Sequence, residues 1–324
     1  MTRHLVTGAA GFIGSHLVDA LLARGDDVLV LDDLSTGAPG NLAAHERLEF
    51  VEGSVGDAAL VKECLASVDT CFHLAASVGV ELILDDPLAS LLNNVRGSDV
   101  VLAAAARARR PLVYASTSEI YGRNAQMPLH EGADRVYGPA DAQRWSYAIS
   151  KAFGEAALLG YVTAQGADMR AVRLFNTVGR RQSPAYGMVL PRFVRQAVNG
   201  EPLTVYGDGL QQRCFTHVAD TVDALLRVMD SPVTGGRVLN VGSTAPISIL
   251  ELAGRVIAAT GGTAELALVP YARVYGAGFE EPTMRCPDTT LLRELTGWET
   301  THTLDDAIRD VVADARRAAT SLAA

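Results

Sequence analysis

Two hydrophobic periods alternate along the first half of the chain. Short apolar runs rich in Val, Leu and Ile predict buried strands, and longer stretches with apolar residues three or four positions apart predict amphipathic helices. The predicted strands span residues 5–7, 28–31, 48–51, 70–74, 112–115 and 171–174. The predicted helices span residues 12–23, 58–66, 88–108 and 147–164. This alternation predicts an α/β fold, with a doubly wound parallel sheet whose ligand lies at the carboxyl ends of the strands.

After Phe175 the predicted elements become shorter and less regular. The pattern indicates a loop at 180–186, a helix at 187–198, a strand at 203–206 and a turn at 207–209. Helices are predicted at 218–228, 248–259 and 304–318, and one more sheet strand is predicted at 238–241. We therefore expect a sheet domain of residues 1–175, rejoined by about 214–242. A smaller C-terminal α/β domain is expected from about 176–213 and 243–324.

Composition is that of an ordinary soluble globular protein, with 48% apolar and 20% charged residues among 324. No apolar run approaches the roughly 20 residues that a membrane span needs. The first residues lack the pattern of a signal peptide. These features predict a cytoplasmic protein that does not bind a membrane.

Net charge and cysteine spacing limit the possible partners further. A formal charge of −9 speaks against a nucleic-acid partner, which requires a basic face. Cys64, Cys71, Cys214 and Cys286 are scattered, without the spacing of metal ligands. We expect free buried thiols and no metal site.

A glycine-rich turn follows the first predicted strand and opens the first predicted helix. Gly8, Gly11 and Gly14 allow the backbone to approach a pyrophosphate at the helix N-terminus, although glycines alone could also form a simple tight turn. Asp32 ends the second predicted strand, 18 residues after Gly14, where it can accept hydrogen bonds from both hydroxyls of an adenine ribose. Its charge disfavours a 2′-phosphate, so the pattern predicts NAD in a Rossmann-type domain. Asp33 is expected to face solvent.

Tyr147 and Lys151 lie four residues apart at the start of a predicted helix, and therefore on one helix face. A nearby ammonium favours the phenolate, so Lys151 is expected to lower the pKa of Tyr147 toward neutrality. Such a tyrosine can take a proton from a sugar hydroxyl. The same spacing also occurs by chance on surface helices.

The Gly-x-x-Gly-x-x-Gly turn together with Tyr147-x-x-x-Lys151 makes the chain resemble the extended short-chain dehydrogenase/reductase family, in its sugar-nucleotide epimerase/dehydratase branch. The resemblance covers essentially the whole chain. It implies a bound NAD, a UDP-sugar substrate and oxidation of the sugar at C4. It also implies a homodimer through a four-helix bundle, for which residues 103–106 and 152–159 offer small and apolar faces.

The resemblance assigns the cofactor site residue by residue. The implied NAD-binding residues are Gly8, Gly11, Phe12, Ile13, Gly14, Asp32, Ser54, Val55, Leu74, Ala75, Ala76, Asn94, Tyr147 and Lys151. Ser54 departs from the family, which usually has Asp near the adenine at this position. Asp57 is a candidate to compensate.

The same resemblance assigns the chemistry. Thr117 matches the hydroxyl that bridges Tyr147 and the substrate, with a capping hydroxyl as the alternative. Ser118 and Glu119 follow it, and Glu119 is expected to take part in proton transfer. Arg285 is expected to face a glucuronate carboxylate, or alternatively to contact the diphosphate or ribose. The implied substrate-binding residues are Asn176, Val189, Thr204, Tyr206, Arg213 and Arg285, with Tyr206 near a uracil or, alternatively, packed in the core.

Three stretches separate branches of the family. Residues 138–147, 212–216 and 275–288 resemble UDP-apiose/xylose synthase and the decarboxylase domain of the polymyxin-resistance enzyme. Oxidation at C4 turns a C5 carboxylate into a β-keto acid, which loses CO2 readily. The sequence therefore favours a UDP-glucuronate decarboxylase. A UDP-sugar 4-epimerase and a non-catalytic NAD-sensing module remain the alternatives.

Overall fold

The structure is a computed structural model that describes residues 1–79, 86–139, 142–276 and 281–322. A seven-stranded sheet forms its centre, in the order β11-β6-β5-β4-β1-β2-β3, and all six strand pairs are parallel. The strands are β1 (Arg3–Thr7), β2 (Asp27–Asp32), β3 (Leu48–Glu52), β4 (Thr70–His73), β5 (Leu112–Thr117), β6 (Met169–Leu174) and β11 (Val238–Val241). The order reverses between β1 and β4, the place where this architecture opens a ligand crevice.

Helices cover both faces of the sheet, because successive strand residues point to opposite sides and both sides are apolar. These helices are α1 (Phe12–Ala23), α2 (Ala58–Ala66), α3 (Pro87–Ala108), α4 (Ser146–Gln165) and α6 (Val218–Asp230). One core cluster joins α1 and α6 to the sheet, and a second joins α2, α3 and α4 to its other face. The predicted doubly wound α/β fold is confirmed, and the predicted bounds of α1 and α2 match the structure.

A third apolar cluster lies in the C-terminal part, between α5 (Val189–Val198), α7 (Ile249–Thr260) and α10 (Leu304–Leu322). Three small sheets accompany it: β8 (Leu203–Tyr206) with β13 (Leu266–Val269), β7 (Thr177–Val178) with β10 (Thr216–His217), and β12 (Pro246–Ser248) with β9 (Gln212–Cys214) and β14 (Met284–Arg285). Short helices α8 (Tyr271–Tyr275) and α9 (Thr290–Thr296) complete this part. Strands of two to four residues are too short to show a period, so the sequence predicted only β8 among them. The domain boundaries stay a prediction.

The four cysteines are free and buried, as predicted. The pairing of β9 with β14 brings Cys214 and Cys286 close together, and the Cys286 thiol donates to the Thr244 carbonyl at 3.7 Å. Within the described ranges, no three His, Cys, Asp or Glu side chains are arranged to hold a metal ion. None of the described helices is long and apolar enough to cross a membrane.

Candidate active site

A cleft of about 1140 Å³ lies at the carboxyl ends of the sheet strands and extends into the C-terminal part. Its walls run from the glycine turn before α1 to Tyr206 on β8 and Tyr271 on α8. Pockets for one small ligand hold about 300–1,000 Å³, so this cleft has room for two extended ligands side by side. All fourteen residues assigned to NAD by resemblance line it.

The glycine turn leaves no room for side chains. Gly8 adopts a φ of +71°, and a Cβ there would lie 2.6 Å from the Ala75 nitrogen. A Cβ on Gly14 would lie 2.3 Å from the Gly8 carbonyl oxygen. Gly11 precedes α1 without a side-chain cap, so the first amides of the helix point into the cleft unbonded by any side chain. This arrangement fits the pyrophosphate of a dinucleotide.

Asp32 closes the ribose end of this pocket. Its Oδ2 accepts a hydrogen bond from the Ala10 amide at 2.8 Å and its Oδ1 accepts one from the Leu34 amide at 2.9 Å. Each carboxylate oxygen keeps a further lone pair, so the oriented side chain can also accept from two ribose hydroxyls. Asp33 is exposed, as predicted.

Asp57 and Asn94 have different tasks. Asp57 is the N-cap of α2 and accepts hydrogen bonds from the amides of Ala59 and Leu60 at 2.9 and 3.1 Å. It does not line the cleft, so the expectation that it compensates for Ser54 is wrong. Asn94 binds both the amide and the carbonyl of Ser77, at 2.7 and 3.0 Å, and fixes the loop that follows β4.

Thr117 and Tyr147 meet at the centre of the cleft. Thr117 is the last residue of β5, and its hydroxyl accepts a hydrogen bond from the Glu119 amide at 3.2 Å. The half-buried Tyr147 lines the cleft beside it, and the Thr117 hydroxyl acts to lower the pKa of the Tyr147 phenol. The capping role and the position next to Tyr147 therefore coexist in one side chain.

Lys151 does not activate Tyr147 in the way that the spacing predicted. Its Nζ donates a hydrogen bond to the Ala115 carbonyl at 2.7 Å and lies 4.8 Å from the centre of the Tyr114 ring. Burial lowers the pKa of Lys151 to about 7. Burial, reinforced by Tyr114 and Glu119, raises the pKa of Tyr147 above its ordinary value. The predicted lowering is wrong, because desolvation outweighs any help from an ammonium directed at a backbone carbonyl.

Glu119 is held between two arginines. Its Oε2 lies 2.6 Å from Nη1 of Arg144, and its Oε1 accepts a hydrogen bond from Nη1 of Arg285. Burial favours the neutral acid, but the two guanidinium groups outweigh it and lower the pKa of Glu119 well below its usual range. This contradicts the expected proton-transfer role, since a carboxylate with two cationic partners does not take up a proton near neutral pH.

Arg285 and Arg213 lie opposite each other on the paired strands β14 and β9. Arg285 is 3% exposed, and its Nε and Nη2 have no hydrogen-bond partner among the described residues. Arg213 donates to the carboxylate of Glu281 and to the Pro282 carbonyl. Together with Arg144 and Glu119, these groups bring three arginines and two glutamates to one wall of the cleft.

The far end of the cleft is aromatic. The guanidinium carbon of Arg192 lies 3.8 Å from the centre of the Tyr206 ring. The Tyr206 and Tyr275 rings are edge to face, with their centres 5.7 Å apart. Tyr206 lines the cleft instead of packing in the core. Asn176 and Val189 line the cleft as well.

Thr204 is placed differently from the prediction. Its amide and hydroxyl bind the Gln196 side chain, at 3.1 and 2.9 Å, and it lies outside the cleft lining. Sequence reasoning missed Arg192, because an arginine on an amphipathic helix looks like a solvated residue. It also missed the pairing of Glu281 with Arg213, two residues 68 positions apart. Residues 140–141 and 277–280 of the quoted motifs lie outside the described residues.

Known proteins resemble this chain throughout. The profile of the "NAD dependent epimerase/dehydratase family" matches residues 4–242. A UDP-N-acetyl-alpha-D-glucosaminuronate decarboxylase of Bacillus cytotoxicus is 38% identical over 96% of both chains. UDP-glucuronic acid decarboxylase 4 of Arabidopsis thaliana is 35% identical over 97% of this chain and 69% of its own.

Solved structures show the same similarity. An epimerase of Methanothermobacter thermautotrophicus superposes with a TM-score of 0.91 at 27% identity, covering 99% of this chain and 94% of its own. A UDP-glucose 4-epimerase of Thermotoga maritima, solved with UDP-glucose, gives 0.87 at 29% identity, covering 98% and 99%. The profile match over most of the chain and the curated relatives above 30% identity agree with the glycine turn and the Tyr-Lys pair. The chain belongs to the NAD-dependent epimerase/dehydratase family.

Proposed function

We propose that this protein is an NAD-dependent UDP-glucuronate decarboxylase. The observation that supports this reading best is Arg285, a buried guanidinium at the wall of the cleft with donors that no described residue uses. An arginine fork of this kind matches a carboxylate. Arg285 is also the partner of Glu119 at this wall, so a uronate carboxylate would join an existing arginine–glutamate cluster.

NAD would be held by the glycine turn, by Asp32 and by the loop that Asn94 fixes. When bound, NAD would supply the hydride acceptor and a positive charge. A positive charge in the cleft would favour the phenolate and oppose the burial that raises the pKa of Tyr147 in the protein alone. Tyr147 then takes the proton of the C4 hydroxyl, with Thr117 as the bridging hydroxyl, while C4 is oxidised to a ketone.

Decarboxylation follows from the oxidation at C4. The bond between C5 and the carboxylate carbon breaks, CO2 leaves, and the electron pair moves to the C4 oxygen as an enolate. Thr117 and Tyr147 donate hydrogen bonds to that oxygen, so they stabilise the charge that develops on it. C5 then takes a proton from solvent. The hydride removed from C4 returns to it and Tyr147 gives back its proton, which yields a UDP-pentose. Glu119 is not the source of the C5 proton, because two arginines hold it ionised; its task is to orient Arg144 and Arg285.

A 4-epimerase is the second candidate. The superposition on a UDP-glucose 4-epimerase favours it, because both reactions share the oxidation at C4 and the same hydroxyl, phenol and ammonium. In that reading Arg285 would contact the diphosphate or ribose of the substrate and would have no carboxylate to bind. The non-catalytic NAD-sensing alternative is disfavoured, because Thr117, Tyr147 and Lys151 are all in place.

One assay separates these functions. The protein with NAD is incubated with UDP-glucuronate and, separately, with UDP-glucose, and the products are resolved by mass and NMR. We expect release of CO2 and a UDP-pentose from the uronate. An isomer of unchanged mass would support the epimerase. Tyr147→Phe is the matched control: it should retain NAD and lose turnover by several orders of magnitude. Binding of NAD without conversion of either substrate would overturn both enzymatic readings.

We also propose that two copies pair through α3 and α4. The exposed face of these helices presents large apolar side chains in adjacent turns: Leu88, Leu92, Ile149 and Phe153. Two such helix pairs, related by a two-fold axis, would form a four-helix bundle. Of residues 103–106, Ala105 and Ala106 are instead buried within the protomer, so the interface would depend on the larger side chains. The cytoplasmic location stays a prediction.

A further inference from the structure

Lys151 and Glu155 form hydrogen bonds with two consecutive residues of β5. They lie one turn apart on α4, on the same face. Lys151 Nζ donates to the Ala115 carbonyl at 2.7 Å, and the Ser116 hydroxyl donates to Glu155 Oε1 at 2.5 Å. The next residue of the strand is Thr117. These two contacts therefore fix β5 relative to α4 at the point where Thr117 meets Tyr147.

Glu155 is wholly buried and accepts four hydrogen bonds. Oε1 accepts from Ser116 and from Nε of Arg173 at 2.9 Å. Oε2 accepts from Nη2 of Arg173 at 2.8 Å and from Nη2 of Arg135 at 2.7 Å. Four donors, two of them from one arginine fork, hold this side chain as a carboxylate.

The other titratable groups that face Lys151 are neutral. Burial, with the charge of Lys151, lowers the pKa of His73 on β4 to about 3. Burial raises the pKa of Tyr114 on β5 and of Tyr147 on α4. Glu155 provides the Coulombic attraction that opposes the desolvation of the Lys151 ammonium. Arg173 and Arg135 lie on the far side of this carboxylate and partly neutralise it.

We propose that Glu155 is a positioning residue for the reaction, which holds Lys151 in its ammonium form and fixes β5 so that Thr117 meets Tyr147. The inference concerns the same site as the proposed function and rests on it only for its role in turnover. The charge of Lys151 is a property of the folded chain itself, so it can be measured without any substrate.

The sequence offers an unusually direct measurement, because the chain contains two lysines, Lys62 and Lys151. Lys62 lies exposed on α2 and serves as an internal reference. In full-length protein with 13C-labelled lysine, the Cε signals can be titrated by NMR in the wild type and in variants. Lys151 should titrate near pH 7.

Two variants shift the charge on Lys151 in opposite directions. Glu155→Gln removes the attraction, so Lys151 should lose its proton at a lower pH, by about half a unit or more. Arg135→Gln removes a cation that neutralises Glu155, so Lys151 should lose its proton at a higher pH. Arg135 is 34% exposed on its side chain, so this variant should fold even if Glu155→Gln does not. Arg123→Gln is the matched control, because it removes a charge from the same loop without touching Glu155.

The pH profile of turnover completes the test. Turnover should fall with rising pH as Lys151 loses its proton. The pH at which it falls should shift in each variant together with the Lys151 midpoint measured by NMR. An unchanged Lys151 midpoint in both Glu155→Gln and Arg135→Gln would overturn the inference. If the Lys151 midpoint shifts in the variants but the wild-type protein converts neither substrate, the effect of Glu155 on Lys151 is supported. The proposed function is contradicted instead.

Discussion

At the scale of the residue, the proposed decarboxylase function depends on Arg285 as the partner of a uronate carboxylate. A guanidinium that is 3% exposed and bound to one carboxylate is poorly satisfied unless a second anion arrives. Arg144 pairs with the same carboxylate, at 2.6 Å, so Glu119 would keep a cationic partner while Arg285 binds a uronate.

Arg285→Ala should lower decarboxylation of UDP-glucuronate by about 10² or more, because removing one partner of a buried charge pair costs about 2–5 kcal/mol. The affinity for UDP-glucose and for NAD should change much less. Steady-state kinetics with the uronate and calorimetric binding of UDP-glucose measure both effects. Arg293→Ala, an exposed arginine on α9, is the control. Equal losses of decarboxylation activity and of UDP-glucose affinity would indicate that Arg285 contacts the nucleotide part of the ligand.

At the scale of the element, the contact between α4 and β5 sets the geometry of the site. Gly154 lets the helix approach the sheet, since a Cβ at this position would lie 2.2 Å from the Tyr114 hydroxyl oxygen. Tyr114 is itself fully buried, and its ring faces Lys151. A displacement of this helix would therefore move Tyr147, Lys151 and Glu155 away from the strand that ends in Thr117.

Gly154→Ala should lower the free energy of unfolding by about 1–3 kcal/mol through overpacking, although alanine is the better helix former. Gly254→Ala is the matched control, a substitution in the interior of α7 with nothing within 4 Å of the new Cβ. It should raise stability by up to about 1 kcal/mol. Urea denaturation of both variants measures the difference. A stabilised Gly154→Ala would show that the helix and sheet are less closely packed than the structure indicates.

At the scale of the whole molecule, the exposed apolar face of α3 and α4 is the feature that the protomer does not explain. Leu88 is 65% exposed and Ile149 is 48% exposed, on helices that are otherwise packed against the sheet. Contiguous exposed apolar side chains of this size favour a protein partner. A second copy is the partner that the family resemblance implies.

The double substitution Ile149→Glu and Phe153→Glu should convert a dimer into a monomer, because it places two charges at the proposed interface while both positions are exposed in the protomer. Light scattering coupled to size-exclusion chromatography measures the mass. Leu268→Glu, at an equally exposed position on β13, should leave the dimer intact. A monomeric wild type, or a double variant that remains dimeric, would contradict the bundle.

The sequence by itself determined the fold class, the dinucleotide turn and the Tyr-Lys pair. Each depends on residues close together in the chain: short apolar runs and a 3.6-residue period, three glycines in seven positions, and two side chains one helical turn apart. The same local spacing placed Asp32 at the end of its strand. Local patterns do not report solvation, which is why the predicted pKa of Tyr147 was wrong in direction.

Tertiary structure alone decided how the charges are arranged. Glu119 meets Arg285 across 166 positions, Arg213 meets Glu281 across 68, and Glu155 meets Arg173 across 18. The protonation of Lys151, Tyr147 and Glu119 depends on these contacts and on burial, both of which arise only when distant strands and helices pack together. A sequence names the ionisable groups, but the energy of a charge depends on its surroundings, and those are set by the fold.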